Sequence, residues 1–119
     1  MTEVAELERG PVMWPTIVRR VVPGALETME RRADGERALC VFWSIEDAER
    51  SMLEAGYTPD EGWRAITRDH EELSLAMDLL AMTSGLRLIY LEPPPDYPDL
   101  GGVFEPEVFI GMLKESPRS

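Results

Sequence analysis

The sequence predicts one α/β or α+β domain, built on a four-stranded, mostly parallel or mixed sheet with about four helices packed on it. A strand pattern followed by a helix pattern occurs three times in succession. The strand starts are far enough apart for helical crossovers, each of which needs about a dozen residues. They lie near Thr16, Arg37, Trp63 and Leu86. Segments 39–43 and 88–91 are apolar without alternation, which is typical of strands buried on both faces. We expect these two segments to lie side by side.

The first strand is predicted at Thr16–Val22, a run that contains two β-branched pairs. The next segment has helical spacing, because its apolar residues share one helix face at i, i+3 and i+7. These residues are Leu26, Met29 and Ala33. Gly35 suits the position just after a helix end. We therefore expect a helix from Ala25 to this glycine.

Two further helices carry explicit start signals. Ser44 follows the second strand and has Asp47 three residues on, an arrangement similar to a capping box. Asp69 follows the third strand and has Glu72 three residues on. The helix after Asp69 is expected to run through residue 84 and to end at Gly85.

The remaining segments complete the β-α order. The third strand, 63–68, alternates between apolar and polar residues, which indicates an edge strand or an antiparallel member. After the fourth strand, at 86–92, the Pro- and Gly-rich stretch 93–102 predicts a stiff, extended connecting loop. A last amphipathic helix is expected at 106–115, followed by a frayed tail at 116–119.

The excess of acidic residues bears on the choice of partner. Twelve basic residues stand against 23 acidic ones, a formal net charge of −11. Binding to nucleic acid or to an anionic membrane depends on clustered Lys and Arg, so neither partner is expected. We expect a protein partner, and the charge favours a basic one.

The cysteine count and the apolar runs exclude several protein classes. Cys40 is the only cysteine, so an internal disulfide and a multi-cysteine metal site are impossible. The start of the chain has no basic and apolar leader, and no apolar run reaches the ~18 residues of a membrane span. We expect a cytoplasmic protein of one domain, residues 1–119, without a cofactor or a metal ion.

Polar residues at the carboxyl ends of the predicted strands are the candidate binding residues, since ligands of parallel sheets bind there. They are Trp43, Ser44, Asp69, His70 and Glu92. A Ser–His–acid triad is disfavoured, because Ser44 lacks the glycines of a nucleophile elbow and because Ser44 and Asp69 serve as caps. We assign no catalytic residue. A small enzyme or small-ligand binder at these strand ends is an alternative function.

The helix that begins after Asp69 is richer in apolar residues than one buried stripe requires. Leu75, Leu79 and Met82 are the residues expected at an interface. The leading function is therefore a non-enzymatic protein-interaction or accessory module, with a homo-oligomer as one form. A further alternative is an acidic inhibitor or immunity-like protein that covers a basic partner.

Two segments resemble the SseB-like family of small bacterial domains. The first is RALCVFWSIEDAERSMLEAGY, an apolar strand followed by an acidic helix that ends in glycine. The second is ELSLAMDLLAMTSGLRLIYLEPPP, a Leu-rich helix, a glycine, a strand and prolines. The resemblance implies an α/β accessory or interaction domain without a known active site, and it carries over no functional residues.

Overall fold

Seven strands, three α-helices and one short 3-10 helix at Pro59–Glu61 follow one another in the part of the chain that the computed structural model describes, residues 13–115. The strands are β1 (Thr16–Val22), β2 (Ala25–Thr28), β3 (Glu30–Ala33), β4 (Glu36–Val41), β5 (Arg64–Thr67), β6 (Leu88–Leu91) and β7 (Gly102–Phe104). The helices are α1 (Ile45–Glu54), α2 (His70–Ser84) and α3 (Pro106–Lys114). Together they form a compact α+β domain, the second of the two predicted classes. The predicted tail at 116–119 lies outside the described residues.

The strands form two sheets rather than the predicted single sheet of four. Their orders are β2-β1-β5 and β3-β4-β6-β7. β4 and β6 are parallel neighbours, with Leu39 opposite Ile89, as expected for the inner pair. β5 lies antiparallel to β1 at a sheet edge, as its alternation predicted. Every other pair is antiparallel, so the larger sheet is mixed and not mostly parallel.

A short crossing point joins the two sheets. The Met29 amide donates to the Val18 carbonyl at 3.0 Å, and the Met29 carbonyl accepts from the Cys40 amide at 3.1 Å. β2 and β3 are thus nearly one strand that passes from one sheet into the other. Beyond the crossing, Thr16 of β1 pairs antiparallel with Phe42.

The predicted helix from Ala25 to Gly35 is wrong, because two-residue turns make this region a pair of hairpins. Pro23 and Gly24 join β1 to β2, with Gly24 at φ 75°. Asp34 and Gly35 join β3 to β4, at φ 54° and 82°. Two successive positive φ values match the twist of a tight hairpin turn.

The apolar spacing of this region has a different cause from the predicted one. Leu26 packs against the core on one side of the strands, and Met29 packs against the core on the other side. A strand with apolar side chains on both faces imitates the i, i+3 spacing of a helix. The first of the three predicted β-α units is therefore absent, because β1 is followed by two further strands and not by a helix.

The other helices follow their predicted start signals. The Ser44 hydroxyl oxygen accepts from the Asp47 amide at 3.1 Å, which caps α1. Asp69 and Glu72 form a complete capping box at α2, with distances of 2.8 and 3.0 Å. Gly85 ends α2 at φ 73°. Within residues 13–115, no helix combines the length and apolar character that a bilayer crossing requires.

Two apolar cores lie on opposite faces of the strands. The larger one packs α2 and α3 against the inner pair of strands, and it includes Leu39, Val41, Leu73, Met77, Leu80, Ile89, Leu91, Phe109 and Ile110. The smaller one packs α1 against the other face, and it includes Val18, Cys40, Phe42, Ala48, Met52 and Trp63. α2 and α3 are thus neighbours on the surface of the larger core.

The loop between β6 and β7 contains two turns, and it is not the extended segment predicted for 93–102. The Tyr97 amide donates to the Pro94 carbonyl, and the Leu100 amide donates to the Tyr97 carbonyl, each at 3.0 Å. Gly101 lies against the Leu91 carbonyl oxygen, where an added Cβ would stand only 2.7 Å from that oxygen. The loop is therefore closed tightly at its base.

Candidate functional site

The strands that precede the predicted binding residues end at one edge of the sheets. β5 is antiparallel to β1, β1 is antiparallel to the end of β4, and β4 is parallel to β6. β4, β5 and β6 therefore run in the same direction. Their ends form the carboxyl edge, as the sequence analysis assumed.

Three of the five predicted binding residues make structural contacts at this edge. Ser44 and Asp69 cap helices. The Trp43 indole N–H donates to the Leu100 carbonyl at 3.0 Å, which ties the 93–101 loop to the end of β4. Each of these groups therefore stabilises the fold at the place where a ligand was expected.

Glu92 takes part in a cluster on the face of the larger sheet. Its carboxylate accepts from Arg31 at 2.7 and 3.2 Å and from the Cys40 thiol at 3.6 Å. The Arg31 guanidinium also lies 4.8 Å from the centre of the Tyr90 ring. Burial, followed by the charge of Glu92, raises the pKa of the Cys40 thiol from 9.0 to about 12. The thiol is thus a proton donor and not a reactive thiolate.

The five residues are spread along the carboxyl edge and are not gathered at one point. β1 and β4 separate the end of β5 from the end of β6, so Asp69 and Glu92 are on the order of 14 Å apart at the usual strand spacing. Within residues 13–115, no hydrogen bond joins two of the five. His70 instead lines a hollow between α2 and α3. The same residues include no cluster of three His, Cys, Asp or Glu side chains that could hold a metal ion.

The outer face of α2 is apolar and exposed. Leu75, Leu79 and Met82 are 70%, 44% and 84% exposed. They follow one another at i, i+4 and i+7, which places them on one side of the helix. The opposite side is buried in the larger core. We call these three residues the α2 stripe, and they are the ones for which the sequence predicted an interface.

A groove runs beside the α2 stripe, between α2 and α3. It consists of two hollows of about 650 and 350 Å³ that share Ser74, Ile110 and Lys114. Buried apolar side chains form its base, among them Met77 and Leu86. Leu75 of the stripe lines the smaller hollow. The stripe and this α2–α3 groove are therefore one continuous surface.

The groove carries charges of both signs that form no ion pair within residues 13–115. They are Asp78, Arg87, Glu107 and Lys114. Elsewhere in these residues, five arginines contact a carboxylate: Arg20, Arg31, Arg37, Arg50 and Arg68. The groove thus places charges of both signs beside an apolar stripe.

The sequence analysis missed this groove. One signal was Gly111, an isolated glycine inside an amphipathic helix, where a packing or binding reason is common. An added Cβ at Gly111 would meet no atom within 4 Å, so the residue borders open space. Lys114, the only lysine of the chain, was another signal.

Comparison with known protein families and with curated proteins finds no match. The resemblance to SseB-like domains therefore stays a prediction.

Proposed function

We propose that this chain is a non-enzymatic protein-interaction module and that the outer face of α2 is its contact surface. The exposed α2 stripe carries the proposal. Surface helices normally present polar residues on the side away from the core. Removing apolar surface from water favours association by about 25 cal/mol per Å² before the entropic costs of association are subtracted. Leaving three large apolar side chains in water forgoes that free energy unless a partner covers them.

The partner is a second copy of this chain. The surface around the α2 stripe carries both acidic and basic side chains without ion-pair partners, so two copies of it can pair their charges with each other. Two-fold homodimers are the commonest oligomers, and their interfaces use the same patch on both subunits. The net charge of −11 opposes association, but salt screens charges beyond ~8 Å at physiological ionic strength.

Sedimentation velocity over a concentration series tests the proposal. We expect the natural sequence to show a concentration-dependent dimer and Leu79→Glu to stay monomeric, because it places a charge in the centre of the α2 stripe. Leu53→Glu is the matched control. Leu53 is 56% exposed on α1, away from this surface, so its variant keeps the dimer. A natural sequence that stays monomeric at the highest soluble concentration overturns the proposal.

A second candidate is an acidic protein that covers a basic partner, which the net charge favours. It predicts association with a basic protein whose on-rate falls steeply as salt is added. Leu79→Glu separates the two candidates, because an added acid does not weaken a complex held together by acidic residues.

A further inference from the structure

We infer that each copy seats its α2 stripe in the α2–α3 groove of the other copy. The inference rests on the proposed function and adds the groove and its charges to the contact surface. It commits to a second copy as the occupant of the groove, in a closed two-fold arrangement.

The adjacency of stripe and groove makes this arrangement self-complementary. A two-fold axis that runs parallel to α2, between the stripe and the groove, places each stripe opposite the other copy's groove. Side chains of one helix ordinarily pack into depressions on the surface of the facing helix, and here the depression lies between α2 and α3. Leu75 lines the smaller hollow as well as belonging to the stripe, so no gap separates the two halves of the surface.

The area needed for a dimer also points to the groove. α2 has 15 residues and is about 22 Å long, so one helix face about 10 Å wide projects to roughly 220 Å². A stable interface buries about 800 Å² on each partner. The α2 stripe alone falls well short of this, and α3, which has nine residues and is about 14 Å long, adds roughly 140 Å². We therefore expect a weak, reversible dimer that needs both helices.

The unpaired charges fit the same symmetry. Lys114 lines the smaller hollow together with Glu71, and Arg87 lines the larger one together with Asp78. Neither cation lies within ion-pair distance of a carboxylate in residues 13–115. Rotation about an axis parallel to α2 keeps each residue at its own height along the helix. The second copy's Glu71 therefore returns to the level of the smaller hollow, which Lys114 lines, and its Asp78 to the level of the larger hollow, which Arg87 lines.

Filling the groove at Gly111 is the direct test. Gly111→Gln places a long polar side chain in the open space above this residue, whereas Gly111→Ala adds one methyl group that meets no atom within 4 Å. Both variants should fold, since glycine is a poor helix former and each replacement is a better one. We expect the dimer dissociation constant to rise about tenfold for Gly111→Gln, the loss typical of blocking an interface centre. It should stay within about twofold for the alanine variant.

A charge exchange tests the paired side chains. Lys114→Glu and Glu71→Lys should each weaken the dimer about threefold, and the double variant should return to within about twofold of the natural sequence. If the free-energy losses of the two single variants simply add in the double variant, so that it regains no affinity, the proposed pairing is overturned.

The outcomes separate this inference from the proposed function. If Leu79→Glu abolishes the dimer and Gly111→Gln leaves it intact, the groove is not the seat of the second copy, and the interaction function stands. If the natural sequence forms no dimer, the proposed function and the inference about the groove are both overturned. If Leu79→Glu and Gly111→Gln both lose the dimer while Leu53→Glu and Gly111→Ala keep it, the proposed function and the inference about the groove are both supported.

Discussion

Arg31 and Glu92 form a two-pronged ion pair that crosses β4. Arg31 lies on β3, and its Nε and Nη2 atoms donate to the two Glu92 carboxylate oxygens at 2.7 and 3.2 Å, just beyond the end of β6. β4 lies between these strands. The ion pair therefore links β3, an edge strand of the larger sheet, to the end of β6. The Cys40 thiol donates to the same carboxylate.

Removal of Arg31 should destabilise the domain. The Glu92 side chain is only 17% exposed and Arg31 is 50% exposed, so Arg31→Ala leaves a largely buried carboxylate without its charged partner. After allowance for solvent screening of the half-exposed guanidinium, we expect a loss of about 1 kcal/mol in the free energy of unfolding. Urea denaturation measures it. Arg32→Ala is the control, because the Arg32 guanidinium donates to the Gly35 carbonyl and contacts no carboxylate within residues 13–115. An equal loss in that variant would contradict the role of the ion pair.

The Cys40 thiol should make the fold sensitive to alkaline pH. Its pKa is raised from 9.0 to about 12 in the folded chain, so above pH 9 the unfolded chain loses the thiol proton while the folded chain keeps it. The unfolded state then binds fewer protons, and stability falls as pH rises towards 12. Between pH 9 and pH 11 this contribution is about 2 kcal/mol.

The measurement is a difference between two proteins, so that the groups common to both cancel. Cys40→Ala removes the titrating thiol and keeps the other groups. Urea denaturation at several pH values should show a shallower alkaline loss for this variant. Parallel stability curves for the two proteins would show that Cys40 ionises as easily in the folded chain as in the unfolded one.

Gly101→Ala should distort the loop between β6 and β7. The new Cβ would lie 2.7 Å from both the Leu91 carbonyl oxygen and the Pro93 ring, closer than real Cβ contacts allow. The backbone must shift, at a cost of about 1–3 kcal/mol. Near-ultraviolet circular dichroism should report the shift, because Trp43 bonds the adjacent Leu100 carbonyl. Gly111→Ala, the same change in open helical space, should be neutral or stabilising.

Gly35→Ala tests the hairpin that replaces the predicted helix. Gly35 has φ 82° and no atom within 4 Å of an added Cβ, so the cost is one of backbone conformation alone. We expect a loss of about 1 kcal/mol, the penalty of the left-handed region for alanine. Asp34→Gly should be tolerated, since Asp34 itself has φ 54°. A thermal melt that is unchanged by Gly35→Ala would contradict the turn geometry.

Local signals account for what the sequence predicted correctly. The caps at Ser44 and Asp69 are set by residues three positions away, and such signals do not depend on the rest of the fold. The continuous apolar runs predicted β4 and β6 as inner strands, and the two are parallel neighbours. β4 is buried on both faces from Ala38 to Val41, whereas in β6 the buried Ile89 and Leu91 alternate with the half-buried Leu88 and Tyr90.

What the sequence did not reveal depends on contacts between distant segments. β2 and β3 were misread because Leu26 and Met29 face different cores, although Pro23-Gly24 and Asp34-Gly35 were available as hairpin signals. The α2–α3 groove was missed for a similar reason, since it exists only where two packed helices leave space. The exposure of Leu75, Leu79 and Met82 could be predicted, because α2 has more apolar residues than its buried side can hold.

The backbone hydrogen bonds of Met29 bear on where the chain can be divided into two fragments that still reassemble. A nick between β2 and β3 would divide the chain at a connection whose Met29 backbone bonds to both sheets, so two fragments divided there should reassemble poorly. A break inside the 93–101 loop leaves that connection intact. Fragment complementation should therefore be more efficient for a break inside the loop than for one at Met29.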